Sequence, residues 1–164
     1  MENVNIKGIE QGRAKYAYDC AILGKEIQSK KKMIVFNNKY FEDKNYKSYV
    51  KKVPTLIKTN GLGAAFAFIK SKEKKEKKEN NQVILPGDER NPKNAYDLIY
   101  IQTSNWFAEN RNYLLPNYTK DKDFINEIIQ LNSSEYRAVT NEVFALFNWL
   151  RRFAEGLIEG EEDN

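Results

Sequence analysis

The sequence predicts an all-α, single-domain bundle of about six helices, with the long last helix as its organising element. Three observations lead there. Between Ser133 and Ile158, the residues Tyr136, Val139, Val143, Leu146, Leu150, Phe153 and Leu157 recur at 3-4-3-4 spacing, and Thr140, Phe147, Ala154 and Ile158 widen that seam into a face. No Val/Ile/Thr alternation is sustained for long enough to build a sheet. Helix punctuation recurs: Asn60-Gly61 is a stop, and Asn91-Pro92 supplies a cap followed by the residue best suited to a first helical turn. A chain of 164 residues fits one domain, here taken as 1–164, and can bury a proper core.

The first helix is expected over residues 3–28. Ile6, Ile9, Tyr16, Cys20, Leu23 and Ile27 mark its apolar stripe, and Arg13 stands at the vacant position between Ile9 and Tyr16. An arginine there either snorkels or forms half of an ion pair, or else presents its guanidinium at a groove. Residues 29–43 read as a lysine-rich loop, in which Met33-Ile34-Val35-Phe36 is too short to establish a strand. Residues 44–58 read as a helix with Tyr46, Tyr49, Val50, Val53 and Ile57 inward. Pro54 removes a donor and is expected to kink or split it near Val53. Gly63 to Lys70 is a short, nearly all-apolar helix whose small side chains suit a central, buried position.

Residues 71–92 combine a Lys/Glu block with Pro-Gly-Asp and read as a mobile surface excursion. Lys93 to Asn110 is a helix burying Tyr96, Ile99, Trp106 and either Leu98 or Phe107. A shorter helix with Phe124, Ile125, Ile128 and Ile129 starts at Thr119 or Asp121. The last helix is capped by Ser133 or Ser134, with Glu135 at the positive end of its dipole. At about 1.5 Å per residue it spans roughly 38 Å. Residues 159–164 form an acidic, frayed tail.

Composition excludes several chemistries. There is no histidine and a single cysteine, so zinc sites, Ser-His or Cys-His nucleophiles and imidazole proton shuttles are all missing. Cys20 lies on an apolar stripe and reads as an inert buried thiol. Gly61-Leu62-Gly63 lacks the third glycine, the preceding strand and the lysine of a phosphate-binding loop. Carboxylate or lysine chemistry is what remains, and it forms no recognisable constellation. The reading is therefore of a non-enzyme with no metal and no cofactor. No apolar run approaches the ~20 residues of a membrane span, which leads to a soluble, cytoplasmic protein with no membrane partner.

The net charge of +4 is unevenly laid out. Residues 25–58 hold ten lysines against Glu26, Glu42 and Asp43, whereas residues 80–164 hold eight basic and fourteen acidic groups. A basic front half suits an anionic partner on one side of the molecule. On the last helix, Arg137, Asn141, Asn148 and Arg151 fall on one polar line, while Phe144 and Trp149 sit outside the main seam with Arg152 beside Trp149. Two readings of these aromatics stand: a second layer of core beneath solvated arginines, or a contact face for a partner chain or nucleic acid.

Three blocks carry a resemblance. GRAKYAY at 12–18, YVKKVPTLIKTNGLGAAFAFIKSK at 49–72 and EYRAVTNEVFALFNWLRRFAEGLI at 135–158 resemble the small-subunit family of the type III-B CRISPR Cmr effector complex. The likeness covers most of the chain outside 73–92 and the acidic tail, and its last block is the most specific. It implies a non-catalytic α-helical subunit of an antiviral ribonucleoprotein. Such a subunit stacks with further copies of itself beside the backbone subunit and lines the channel of the guide RNA–target RNA duplex. Guide pairing then sets specificity, and this chain supplies backbone contacts. The resemblance does not by itself say which residues touch RNA. Charge and placement select Arg13, Lys15, Lys58, Asn60, Arg137, Arg151 and Arg152, followed by Lys51 and Lys52, with Phe144 and Trp149 assigned to subunit contact or core.

Overall fold

The computed structural model describes residues 6–28, 34–36, 39–41, 45–72, 94–110 and 113–159. Its elements are α1 (Ile6–Gln28), β1 (Ile34–Phe36), β2 (Lys39–Phe41), α2 (Tyr46–Asn60), α3 (Leu62–Ser71), α4 (Ala95–Asn105), α5 (Phe124–Ile129) and α6 (Ser133–Leu157). The molecule is a helical bundle, as its periodicity predicts. The addition is a small hairpin in which β1 and β2 pair antiparallel, Ile34 opposite Phe41 and Phe36 opposite Lys39. Met33–Phe36 was too short to stand as a strand alone. Its antiparallel partner, Lys39–Phe41, follows after two intervening residues in the sequence. Most of the expected surface excursion (residues 73–92), the Asn91-Pro92 start signal and the tail beyond Glu159 lie outside the described residues.

The most enclosed helix is α4 rather than α6. Ala95, Leu98, Ile99, Tyr100 and Ile101 are buried, and so are the polar side chains of Asp97, Gln102, Thr103 and Ser104. A helix covered on all sides has no amphipathic stripe to advertise its position. Its cap is Asn94, whose Oδ1 accepts from Asp97 N–H at 2.9 Å while its Nδ2 donates to Lys72 O at 2.7 Å. That second bond ties the end of α3 to the start of α4. The expected single helix to Asn110 changes pitch at Trp106, because Trp106–Asn110 is a π-helical turn. Leu98, Trp106 and Phe107 are all buried, since core surrounds the helix on more than one side.

One hydrophobic core fills the interior, and two sets of contacts stand out within it. In one, Phe124 is packed by Phe66 at 5.5 Å, Phe107 at 5.5 Å and Tyr118 at 5.6 Å between ring centroids. Edge and offset arrangements of this kind add to the plain burial of area. The other cluster is polar. Tyr46 O–H donates to Gln102 Oε1 at 2.6 Å, Gln102 Nε2 donates to Cys20 O at 3.1 Å, and Tyr16 O–H donates to Gln102 O at 2.6 Å. Burial pushes the Tyr46 hydroxyl pKa well above its ordinary value, against the lowering effect of its hydrogen bond to Gln102. Gly24 makes room for this cluster, since a Cβ there would overlap the Tyr46 ring. Cys20 is a buried free thiol.

Helix α2 is continuous across Pro54 and is not split there. Tyr46, Val50, Val53 and Ile57 are buried on both sides of the proline, and that packing offsets the hydrogen bond Pro54 cannot make. Gly61 ends α2 with φ of +84°, its N–H donating to Ile57 O at 2.8 Å, and its own carbonyl starts α3. In α3, Leu62, Gly63, Ala65, Phe66 and Ile69 are buried. Its other side, with Ala64, Ala67 and Phe68, is exposed, so the element is half-buried rather than central. Ile129 of α5 is likewise exposed.

Candidate nucleic-acid interface

Five of the candidate residues, Arg137, Phe144, Trp149, Arg151 and Arg152, lie on α6. Its N-terminus is fixed by a capping box set one residue earlier than Ser133. Asn132 Oδ1 accepts from Glu135 N–H at 2.9 Å, and Glu135 Oε2 accepts from Asn132 N–H at 3.3 Å. Tyr136 then reaches across to the α2–α3 corner, where its hydroxyl oxygen accepts from Gly63 N–H at 2.8 Å. At the far end, Lys47 Nζ donates to Ile158 O at 3.2 Å and Lys51 lies 3.7 Å from Glu155. These contacts place α2 antiparallel to α6.

The opposite flank of α6 meets α1, which runs in the same sense. Arg13 settles between its alternatives as half of an ion pair. Its Nε donates to Glu142 Oε1 at 3.1 Å and its Nη2 to Oε2 at 2.7 Å, with the side chains 16% and 7% exposed. Trp106 Nε1 donates to the same Oε1 at 2.9 Å, and Tyr16 packs on the Trp106 ring at 4.8 Å. The hydrogen bond to Glu142 raises the Arg13 pKa against the opposing effect of burial. A bidentate pair with a third donor is what a partly buried carboxylate requires. Sequence reasoning missed Glu142. Its signal was an acid standing between Val139 and Val143, at the edge of the apolar face, opposite an arginine in the α1 stripe.

Most of the remaining candidates fall on one of two surfaces. On the α2 side, α6 exposes Arg137, Asn141, Asn148 and Arg151, and half-buried Phe144 fills the gap between the two asparagines. Residues 137, 141, 144, 148 and 151 therefore form one ladder at 4-3-4-3 spacing, with a single aromatic rung. Glu155 continues it by one step and contacts Lys51, which brings α2 alongside. Lys58 and Asn60 are exposed further along α2. On the α1 side, Trp149 stacks on Phe153 at 5.7 Å and Phe153 meets the Tyr18 ring edge-on at 5.5 Å. Arg152 is exposed between the two surfaces. Lys15 pairs with Asp19 at 2.8 Å on the exposed side of α1. Lys52 lies elsewhere, 6.0 Å over the Tyr49 ring.

Among the described residues, no group of three or more Asp, Glu, Cys or His is arranged to hold a metal ion, and no helix is long and apolar enough to cross a membrane. Residues 9–157 match the family model described as CRISPR-associated protein (Cas_Cmr5). The chain belongs to that family. The match runs from within α1 to the end of α6, and takes in both surfaces. Membership makes this a subunit of the CRISPR Cmr complex, whose partners are other Cmr subunits, in a family known as structural rather than catalytic.

Proposed function

We propose that this Cmr subunit is a non-catalytic, RNA-binding member of a type III-B effector. In this reading it stacks with further copies of itself and with the backbone subunit, and lines the channel of the guide RNA–target RNA duplex in the cytoplasm. The observation that carries the proposal is the exposed ladder Arg137–Asn141–Phe144–Asn148–Arg151, with Lys51 and Lys58 of α2 on the same side. Two guanidinium groups separated by about four helical turns neutralise phosphates, and the asparagines donate to phosphate or 2′-hydroxyl oxygens. Nothing in such a ladder selects a base, which suits a subunit that leaves sequence to guide pairing. Arg13 serves this face indirectly, through Glu142, by fixing α1 against α6.

A second reading has support of its own. The Tyr18–Phe153–Trp149 surface is aromatic, the composition of a protein contact, and a purely adaptor role would use it alone. The two readings part on salt. For duplex RNA binding by the isolated protein, the logarithm of affinity falls linearly with the logarithm of salt concentration. The double substitution Arg137→Ala/Arg151→Ala reduces that slope by about two, one for each phosphate contact removed. An unchanged slope in a variant of parental helicity removes the ladder as an RNA face and leaves the adaptor role.

A further inference from the structure

Helix α6 carries three acids, Glu135, Glu142 and Glu155. Two of them hold the fold together: Glu135 closes the capping box with Asn132, and Glu142 accepts from Arg13 and Trp106 in the α1 interface. Glu155 is placed differently. It stands one turn beyond Arg151, at the next step of the line 137–141–144–148–151, and is the one acid in that line. Its Oε1 lies 3.7 Å from Lys51 Nζ, beyond hydrogen-bond distance, and both side chains are open to solvent. An exposed pair at that separation adds little to stability. The helices are also joined nearby without it, because Lys47, one turn before Lys51 on α2, donates from Nζ to Ile158 O at 3.2 Å.

The carboxylate of Glu155 therefore stands between two cations of the ladder face. Lys51 is on the neighbouring helix, and Arg151 is one turn back on its own, about 6 Å along the axis. A phosphate approaching either cation meets that negative charge at short range, and Lys51 must leave Glu155 before it can neutralise one. We propose that Glu155 is an internal competitor for phosphate. It holds Lys51 back, weakens the grip of the ladder at the C-terminal end of α6, and ends the RNA footprint there. The proposal rests on the function proposed above and deepens it: the ladder holds RNA less tightly than its cations alone would.

The test titrates an RNA duplex against the full chain at several salt concentrations. Glu155→Gln keeps the shape and removes the charge. It tightens binding about fivefold at low salt, and it steepens the salt slope by about one as Lys51 gains a phosphate. Lys51→Ala costs more affinity in the Glu155→Gln chain than in the parent, since only there is its charge unopposed. Glu10→Gln makes the same change of charge on the exposed surface of α1 and leaves the salt slope where it was. Loss of a merely structural ion pair does not tighten binding, so the gain separates the two roles. If Arg137→Ala/Arg151→Ala weakens binding but Glu155→Gln does not strengthen it, the competitor is overturned and the ladder stands. Equal gains from Glu155→Gln and Glu10→Gln overturn it too, as does an equal cost of Lys51→Ala in both chains. If the arginine substitutions leave affinity unchanged, the ladder itself falls and the competitor falls with it.

Discussion

The two flanks of α6 carry the same kind of interaction in different surroundings. Toward α1, Arg13 and Glu142 meet at 2.7 Å, mostly buried, with Trp106 as a third donor. Toward α2, Lys51 and Glu155 approach only to 3.7 Å and are 37% and 41% exposed. A buried charge that loses its partner has nowhere to turn, whereas an exposed one returns to water. The α1 flank is thus a structural lock between helices, whereas the α2 flank keeps its Lys51–Glu155 pair at the solvent-exposed surface. Charge alone does not distinguish a binding residue from a structural one; burial and the partner do.

The largest expected effect tests the lock. Glu142→Ala strands a guanidinium and an indole N–H in the interface and destabilises the fold by about 3–5 kcal/mol. Urea denaturation measures it, and replacing both partners together by apolar residues restores much of the loss. Next comes Tyr136→Phe, which removes the acceptor of the Gly63 N–H and costs about 1 kcal/mol. Smallest is Lys51→Ala, at no more than about 0.5 kcal/mol in stability. If Lys51→Ala and Glu142→Ala cost the same, the contrast between the flanks fails.

Alkaline pH sharpens the same contrast from within the core. Burial raises the pKa of Tyr46, Tyr100 and Tyr118 above the ordinary tyrosine value. The folded state therefore holds protons that the unfolded chain releases near pH 10. Stability from these groups is fully present below about pH 10 and declines as pH rises past it. Tyr46→Phe reduces that decline, which a series of urea midpoints at increasing pH records.

Much of this fold was legible because α1, α2 and α6 are amphipathic and announce their buried faces. Three features were not. α4 is covered on all sides, so periodicity could not mark it as the most enclosed helix. The caps of α4 and α6, Asn94 and Asn132, each have another good cap residue within three positions, and only geometry picks them out. The partner of Arg13 lies 129 residues away, beyond any local pattern. The candidate site was half legible. The arginine–asparagine line of α6 could be read directly, but Phe144 as its middle rung became visible only once both neighbouring flanks were assigned. The stack of Tyr49 of α2 on Tyr96 of α4, at 3.7 Å between ring centroids, likewise left no trace in sequence spacing.

The most direct measurement is photo-crosslinking of RNA to this subunit inside the assembled Cmr complex, followed by peptide mapping. The account predicts crosslinks on α6 between Arg137 and Arg151 and on the adjoining part of α2, with none at Tyr18 or Trp149. Crosslinks confined to Tyr18 and Trp149, or a subunit that gives none, would contradict it.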